Sequence, residues 1–140
     1  MSSLAACGSN EPTGPAPLAN GTYRAKINGV EFNALSAAVV GGAGGLYSLG
    51  GGNAAGQTIG FAWIDAGTGT YPIGGATIGS HTHMGQTWSA SSAQGSGTIV
   101  ITTTSATRVA GTFEFVLQPD AASGATGTRT VTEGSFDLTY

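Results

Sequence analysis

The sequence predicts an all-β fold, an antiparallel β-sandwich of about nine or ten strands, with a small β-barrel as the alternative. Three observations lead there. From Gly21 onward apolar residues recur with a period of two, and not with the 3.6 of a helix. Glycine clusters break the chain into short segments, as turns between strands do. No window of a dozen residues carries a helical apolar stripe free of glycine or β-branched runs.

The clearest element is the hairpin from Thr22 to Ala34. Asn28-Gly29 suits a two-residue turn in which both residues adopt positive φ. That turn pairs Ile27 with Val30, Ala25 with Phe32 and Tyr23 with Ala34 on one apolar face. The other face sets Lys26 opposite Glu31 and Arg24 opposite Asn33, so one register satisfies both faces. Short strands follow at Ala37–Val40 and Leu46–Leu49, flanked by glycine runs. Gln57–Ile64 places Ile59, Phe61 and Trp63 on one face. Thr68–Ile73 reads as an edge strand ending at its proline. Thr98–Thr104 alternates Ile99 and Ile101 against Val100 and Thr102. Arg108–Gln118 aligns Val109, Phe113, Phe115 and Leu117. A last pair, Thr128–Glu133 and Ser135–Tyr140, is expected to turn at Gly134 and aim Phe136, Leu138 and Tyr140 inward. The expected core joins Tyr23, Ile27, Val30 and Phe32 to Phe113, Phe115, Phe136 and Leu138.

The order Ile27-Asn28-Gly29-Val30-Glu31-Phe32-Asn33-Ala34, Gly69-Thr70-Tyr71, Gly97 to Thr102, Gly111 to Phe115 and Val131-Thr132-Glu133-Gly134-Ser135-Phe136 resembles a family of uncharacterised bacterial envelope lipoprotein domains. Those domains open on an N-G-x-x-[FW]-x-A hairpin and close on V-T-x-G-x-F. The resemblance covers roughly residues 21–140. It implies a β-sandwich and an envelope address, and it carries over no catalytic residue. The glycine-rich stretch 41–52 and the segment His81-Thr82-His83 lie outside the shared pattern.

Length bounds the rest. The 140 residues make one domain with one core, expected at 20–140, behind a segment 1–19 of different character. Charged residues are 8% of the chain, against about 25% in an ordinary soluble domain. Lys and Arg total 4, too few for a phosphate-reading surface, so no nucleic-acid partner is expected. With Gly 25 and a surface of Thr and Ser, the chain reads as an exported β-protein. No run approaches the roughly 18 apolar residues of a membrane-spanning helix.

The single Cys7 excludes an internal disulfide. Its setting, Leu4-Ala5-Ala6-Cys7-Gly8-Ser9, resembles the lipobox of bacterial lipoproteins, in which the thiol is acylated. A Pro-, Ser- and Gly-containing stretch, Asn10 to Pro17, follows as a tether would. Six residues before Cys7 are too few for a charged and then an apolar signal region. Residues 1–19 are therefore expected to be a truncated lipoprotein signal and tether, with Cys7 the lipid anchor and a membrane the first partner.

Chemistry is sparse. No G-x-S-x-G elbow is present, and Gly41–Gly45 lacks the Lys-Thr and helix of a phosphate loop. Of the acids, Glu11 falls in the tether, and Glu31 and Asp137 fit outward strand positions. Asn20-Gly21-Thr22 matches a glycosylation sequon that a bacterial lipoprotein leaves idle. His81-Thr82-His83-Met84 is the local cluster with metal chemistry in it, since residues i and i+2 of an extended segment share a face. Two imidazoles and the Met84 thioether are too few for a closed site. His81 and His83 are expected on an exposed loop between Gly79 and Gly85, binding metal weakly at most. Trp63 belongs with the core, whereas Trp88 lacks large apolar neighbours at i±2. It is the candidate for an exposed ring that stacks on a ligand such as a sugar.

The expectation is a non-enzymatic, surface-anchored envelope module with a binding or structural role and no cofactor. Its ligand would be a carbohydrate or a protein. One rival is a self-assembling or adhesive subunit that pairs edge or donated strands. Another is a weak periplasmic metal binder using His81 and His83.

Overall fold

Alternation of small or polar residues with large apolar ones makes most of the chain into strand. The computed structural model describes residues 20–41 and 43–140. Eleven strands follow in chain order: β1 (Gly21–Ile27), β2 (Val30–Asn33), β3 (Ser36–Gly41), β4 (Leu46–Gly52), β5 (Gln57–Ile64) and β6 (Gly69–Pro72). Then come β7 (Ile78–His83), β8 (Gln86–Ala90), β9 (Ser96–Thr104), β10 (Arg108–Pro119) and β11 (Arg129–Thr139). Two single 3-10 turns, Ala43–Gly45 and Ala121–Ser123, are the helical pieces among the described residues.

All pairings are antiparallel, and the fold is all-β. One layer runs β2-β1-β11-β10-β9-β6 and the other β3-β4-β5-β7-β8. The two layers are continuous, because β10 serves both. Its length pairs with β9 and β11, and its last residues cross to β8, with Gln118 opposite Ser89 and Pro119 opposite Trp88. The expected sandwich is thus one sheet curled over on itself, between a sandwich and a half-barrel.

The opening hairpin has the expected register: Ile27 faces Val30, Ala25 faces Phe32 and Lys26 faces Glu31. Asn28 and Gly29 both have positive φ, 50° and 82°. Val30 corrects the expected core, since it is 69% exposed. It stands at the turn end of β2, next to Gly29, whereas Phe32 further along the same strand is fully buried.

The inner faces meet in an aromatic core. Phe61 of β5 lies 4.8 Å from Phe113 of β10 and 5.4 Å from Phe136 of β11, centroid to centroid. Tyr23 of β1 packs on Phe113 at 5.6 Å and donates its hydroxyl to the Ile59 carbonyl of the other layer at 2.6 Å. Full burial raises the Tyr23 pKa well above its usual value. Ile99, Ile101, Val109, Phe115, Leu117 and Leu138 belong to the same core, with Phe32, Ile59, Trp63 and Trp88.

The closing segment differs from expectation. Residues 129–139 form one strand carrying a bulge, not two strands with a turn at Gly134. The pairing with β10 jumps from Phe113–Gly134 to Phe115–Val131, and Glu133 takes φ 53°. One extra residue shifts the alternation, so Val131 and Phe136 both point inward although five positions separate them. Strands β7 and β8 were not among the expected elements. They form a hairpin turning on Met84 and Gly85, with φ 54° and 78°.

Candidate functional site

Cys7 lies outside the described residues. His81 is not on a loop: it is on β7, points inward and is 1% exposed. The reason is register, since pairing with Ile59 on one side and Trp88 on the other puts it on the core face. His83, two residues on, is half-buried at the end of the same strand. Met84 is the turn residue beside it and is 86% exposed. Among the described residues no group of three His, Cys, Asp or Glu side chains stands close enough to share an ion.

Trp88 is buried too, so the candidate stacking ring belongs to the core. His81 covers it at 5.3 Å between centroids, and the Arg129 guanidinium stands 4.2 Å from the ring centre. The indole N–H donates to the carbonyls of Gly127 (2.9 Å) and Thr126 (3.3 Å), so the connection before β11 is tied over it. His81 contacts the Thr58 carbonyl through Nδ1 at 3.1 Å. A carbonyl only accepts, so Nδ1 carries the proton and Nε2 is left a bare acceptor. Nε2 is buried and finds no hydrogen-bond partner, and neither does the Arg129 Nε. Burial first, then the charges of Arg129 and His83, lower the His81 pKa against the opposing Thr58 bond.

A second cluster lies around Trp63. Tyr47 stacks on Trp63 at 5.7 Å, and Tyr140 meets Tyr47 edge-on at 6.1 Å. The Trp63 N–H reaches Asp65 at 3.4 Å, and Tyr140 donates to the Ser105 carbonyl at 3.1 Å. Burial first, and then contact with Tyr47, push the Tyr140 pKa up to about 12. Its ring is on the rim of the sheet instead of fully inside.

The most distinctive surface belongs to the other side of the β3-β4-β5-β7-β8 layer. These five strands contain no Asp, Glu, Lys or Arg. Of the eleven charged residues, eight lie on β1, β2, β10 and β11; Asp65 and Asp120 lie in connections, and Glu11 precedes the described part. The registers stack the outward side chains in rows across the strands. One row reads Ala38, Gly50, Gly60, Ser80; the next reads Val40, Ser48, Ala62, Ile78; the one after pairs Leu46 with Ile64. Val40 is 61% exposed, Ile64 48%, Ile78 44% and Leu46 43%. The first two rows floor a depression of about 390 Å³ with Val40 and Ile78 on its sides.

The family described as Domain of unknown function (DUF6252) matches residues 19–137. The chain belongs to the DUF6252 family. No curated protein and no solved structure matches it. Membership in DUF6252 agrees with the expected resemblance to an uncharacterised domain family, and the match takes in every strand, ending two residues before the end of β11. No described helix is long and apolar enough to cross a bilayer.

The uncharged layer of this DUF6252 domain escaped the reading of motifs. Its signal was available as an absence: between Glu31 and Asp65, and again between Asp65 and Arg108, no charged residue occurs. What was missing was the register that gathers these segments into neighbouring strands.

Proposed function

We propose that this domain is a non-enzymatic module of the bacterial envelope, held at a membrane through acylated Cys7 and working by binding through its uncharged layer. The observation that carries the binding part is the row of five strands without a formal charge, exposing four large aliphatic side chains around a shallow depression. Exposed apolar side chains gathered on one face mark an interaction surface more often than chance. The anchor part rests on Leu4-Ala5-Ala6-Cys7 followed by a proline-containing stretch. The polar clusters offer catalysis little. Arg108 and Asp137 neutralise each other in a bidentate pair at 2.9 and 2.7 Å, and His81 has one nitrogen bound and the other enclosed.

The test of the anchor uses the gene with its native upstream region and a clickable fatty acid. Label is expected on wild type and lost in Cys7→Ala. Equal labelling of both would end the lipoprotein reading.

A further inference from the structure

We infer that the uncharged layer is a self-association surface, and that its occupant is the same face of a second copy of this chain. The inference rests on the binding role proposed for that layer and names the partner.

Charge argues first. The chain carries a net charge of −3, so two copies repel, and most of their charged groups lie on the opposite layer. A face without charges is one that two identical molecules can bring together without placing like charges opposite each other. The same absence disfavours other occupants. An anionic lipid surface or a charged ligand would find no Lys or Arg on these five strands. The outward rows also hold no aromatic ring for a sugar to stack on.

Shape argues second. The row of Val40, Ser48, Ala62 and Ile78 has a smooth trough on one side and a ridge on the other. Gly50 and Gly60 are the centre of the trough; Leu46 and Ile64 are the ridge. Gly50 and Leu46 share β4, and Gly60 and Ile64 share β5, each pair four residues apart. Trough and ridge therefore lie about equally far, roughly 7 Å, either side of the middle row. A two-fold axis in the interface along that row reverses the strand direction and keeps the order of the strands. It brings Leu46 of one copy over Gly50 of the other and Ile64 over Gly60, twice over. Such an isologous contact closes on itself as a dimer.

Size argues that the dimer is weak. Five strands spaced by about 4.8 Å and six residues long at about 3.3 Å per residue span roughly 20 by 20 Å. That is about 400 Å² per copy, half the roughly 800 Å² of a standard interface. Molecules tethered to one membrane meet at a raised effective concentration, where a weak contact suffices. Strand-edge pairing is the poorer route. Edge strand β2 has four residues, edge strand β6 ends in Pro72, and Asn20 occupies the Ala37 carbonyl on edge strand β3 at 3.1 Å.

Sedimentation velocity from about 10 µM to about 1 mM tests the inference over the range in which a weak contact shows. Wild type is expected to shift from monomer toward dimer across that range, with no larger species. The Gly50→Leu/Gly60→Leu double variant fills the trough while making the face more apolar. A Cβ at either position meets nothing closer than 3.5 Å, and the circular dichroism spectrum checks that the fold is kept. This variant is expected to stay monomeric, and so is Leu46→Lys/Ile64→Lys, each with a wild-type circular dichroism spectrum. Wild type that remains monomeric throughout overturns the inference. Dimerisation that is unchanged or strengthened in Gly50→Leu/Gly60→Leu overturns it as well, because a merely sticky face or a strand edge would behave so. Fatty-acid labelling of Cys7 is independent of both results, so the envelope reading stands or falls separately.

Discussion

His81 and Trp88 face each other across β7 and β8, with ring centroids 5.3 Å apart and planes 30° from parallel. The contact fixes a neutral imidazole in the interior, its Nδ1 proton on the Thr58 carbonyl. Protonating Nε2 would bury an N–H without an acceptor, close to the Arg129 charge. The folded chain therefore takes this proton less readily than the unfolded chain, in which a histidine titrates near 6.5.

The sign of the pH effect follows. Above about pH 6.5 neither state is protonated at this ring, and its contribution to stability is complete. Below that value the unfolded chain gains a proton that the folded chain resists, so stability falls as pH falls. Thermal melts should show a lower midpoint at about pH 5.5 than at about pH 7.5. His81→Asn, whose amide can still donate to the Thr58 carbonyl, should flatten that dependence. An equally steep dependence in His81→Asn would move the effect to another group.

Trp88 should act as the clasp of the connection before β11. Trp88→Phe keeps a ring against His81 but leaves the Gly127 and Thr126 carbonyls without their donor. A loss of about 1–3 kcal/mol is expected for unmade buried hydrogen bonds. Amide exchange should also quicken between Asp120 and Thr128. Exchange that accelerates uniformly over the sheet would argue for a general loss of packing instead.

Zinc should not stabilise the domain through His81 and His83. The two rings share one side of β7, yet His81 is enclosed with its Nδ1 bound, and no third described ligand is near. Two ligands make a poor site. The melting midpoint is expected to stay unchanged in about 100 µM zinc, where a tight site would raise it by mass action. A rise that His83→Ala abolishes would reinstate the metal site.

The outcome shows where sequence is transparent and where it is not. Stretches with clear alternation, such as Gln57–Ile64 and the part of β10 from Thr112 to Leu117, were legible because each side chain's face follows from its parity. The Asn28-Gly29 turn was legible because few other residue pairs adopt that geometry. Strands β7 and β8 were not. Their inward residues are Gly79, His81, Trp88 and Ala90, a histidine and two small residues around one ring, which alternates in no hydrophobicity scale. Their turn, Met84-Gly85, has a first residue that gives no turn signal. The bulge at Glu133 hid β11 in another way, by changing the phase of an otherwise clear pattern. The uncharged layer became visible only when non-local pairing placed five charge-free segments side by side.

Hairpin strength can be separated from hairpin contacts at Asn28 and Gly29. A Cβ on Gly29 meets nothing within 4 Å, so Gly29→Val is opposed by its φ of 82° alone. On the order of 1–2 kcal/mol is expected. Asn28 accepts from the Thr130 amide at 2.8 Å and from its hydroxyl at 3.1 Å, joining the turn to β11. Asn28→Gly keeps the backbone and loses this link, at about 0.5–1.5 kcal/mol. Unchanged denaturation midpoints in both variants would mean that the turn contributes nothing to stability.

The glycines of the interior should show the opposite ranking, governed by space and not by φ. A Cβ on Gly134 would stand 2.6 Å from the Phe113 ring and 2.6 Å from its carbonyl oxygen. The ring is held by Phe61, Tyr23 and Phe136, and the carbonyl is strand backbone, so neither yields easily. On Gly79 the same atom would stand 3.0 Å from the edge of the Phe115 ring, a smaller overlap and with side chain only. Gly134→Ala is therefore expected to cost about 1–3 kcal/mol as an overpacked core, and Gly79→Ala less. Phe115→Ala, which empties the same region, should cost about 3–5 kcal/mol. Combining Gly79→Ala with Phe115→Leu gives the decisive comparison, because the smaller side chain makes room for the new methyl group. The double variant should lose less than the sum of the two single losses, the signature of a shared contact. Strict additivity in urea denaturation would show that Gly79 and Phe115 do not press on each other, and that the glycine serves the backbone alone.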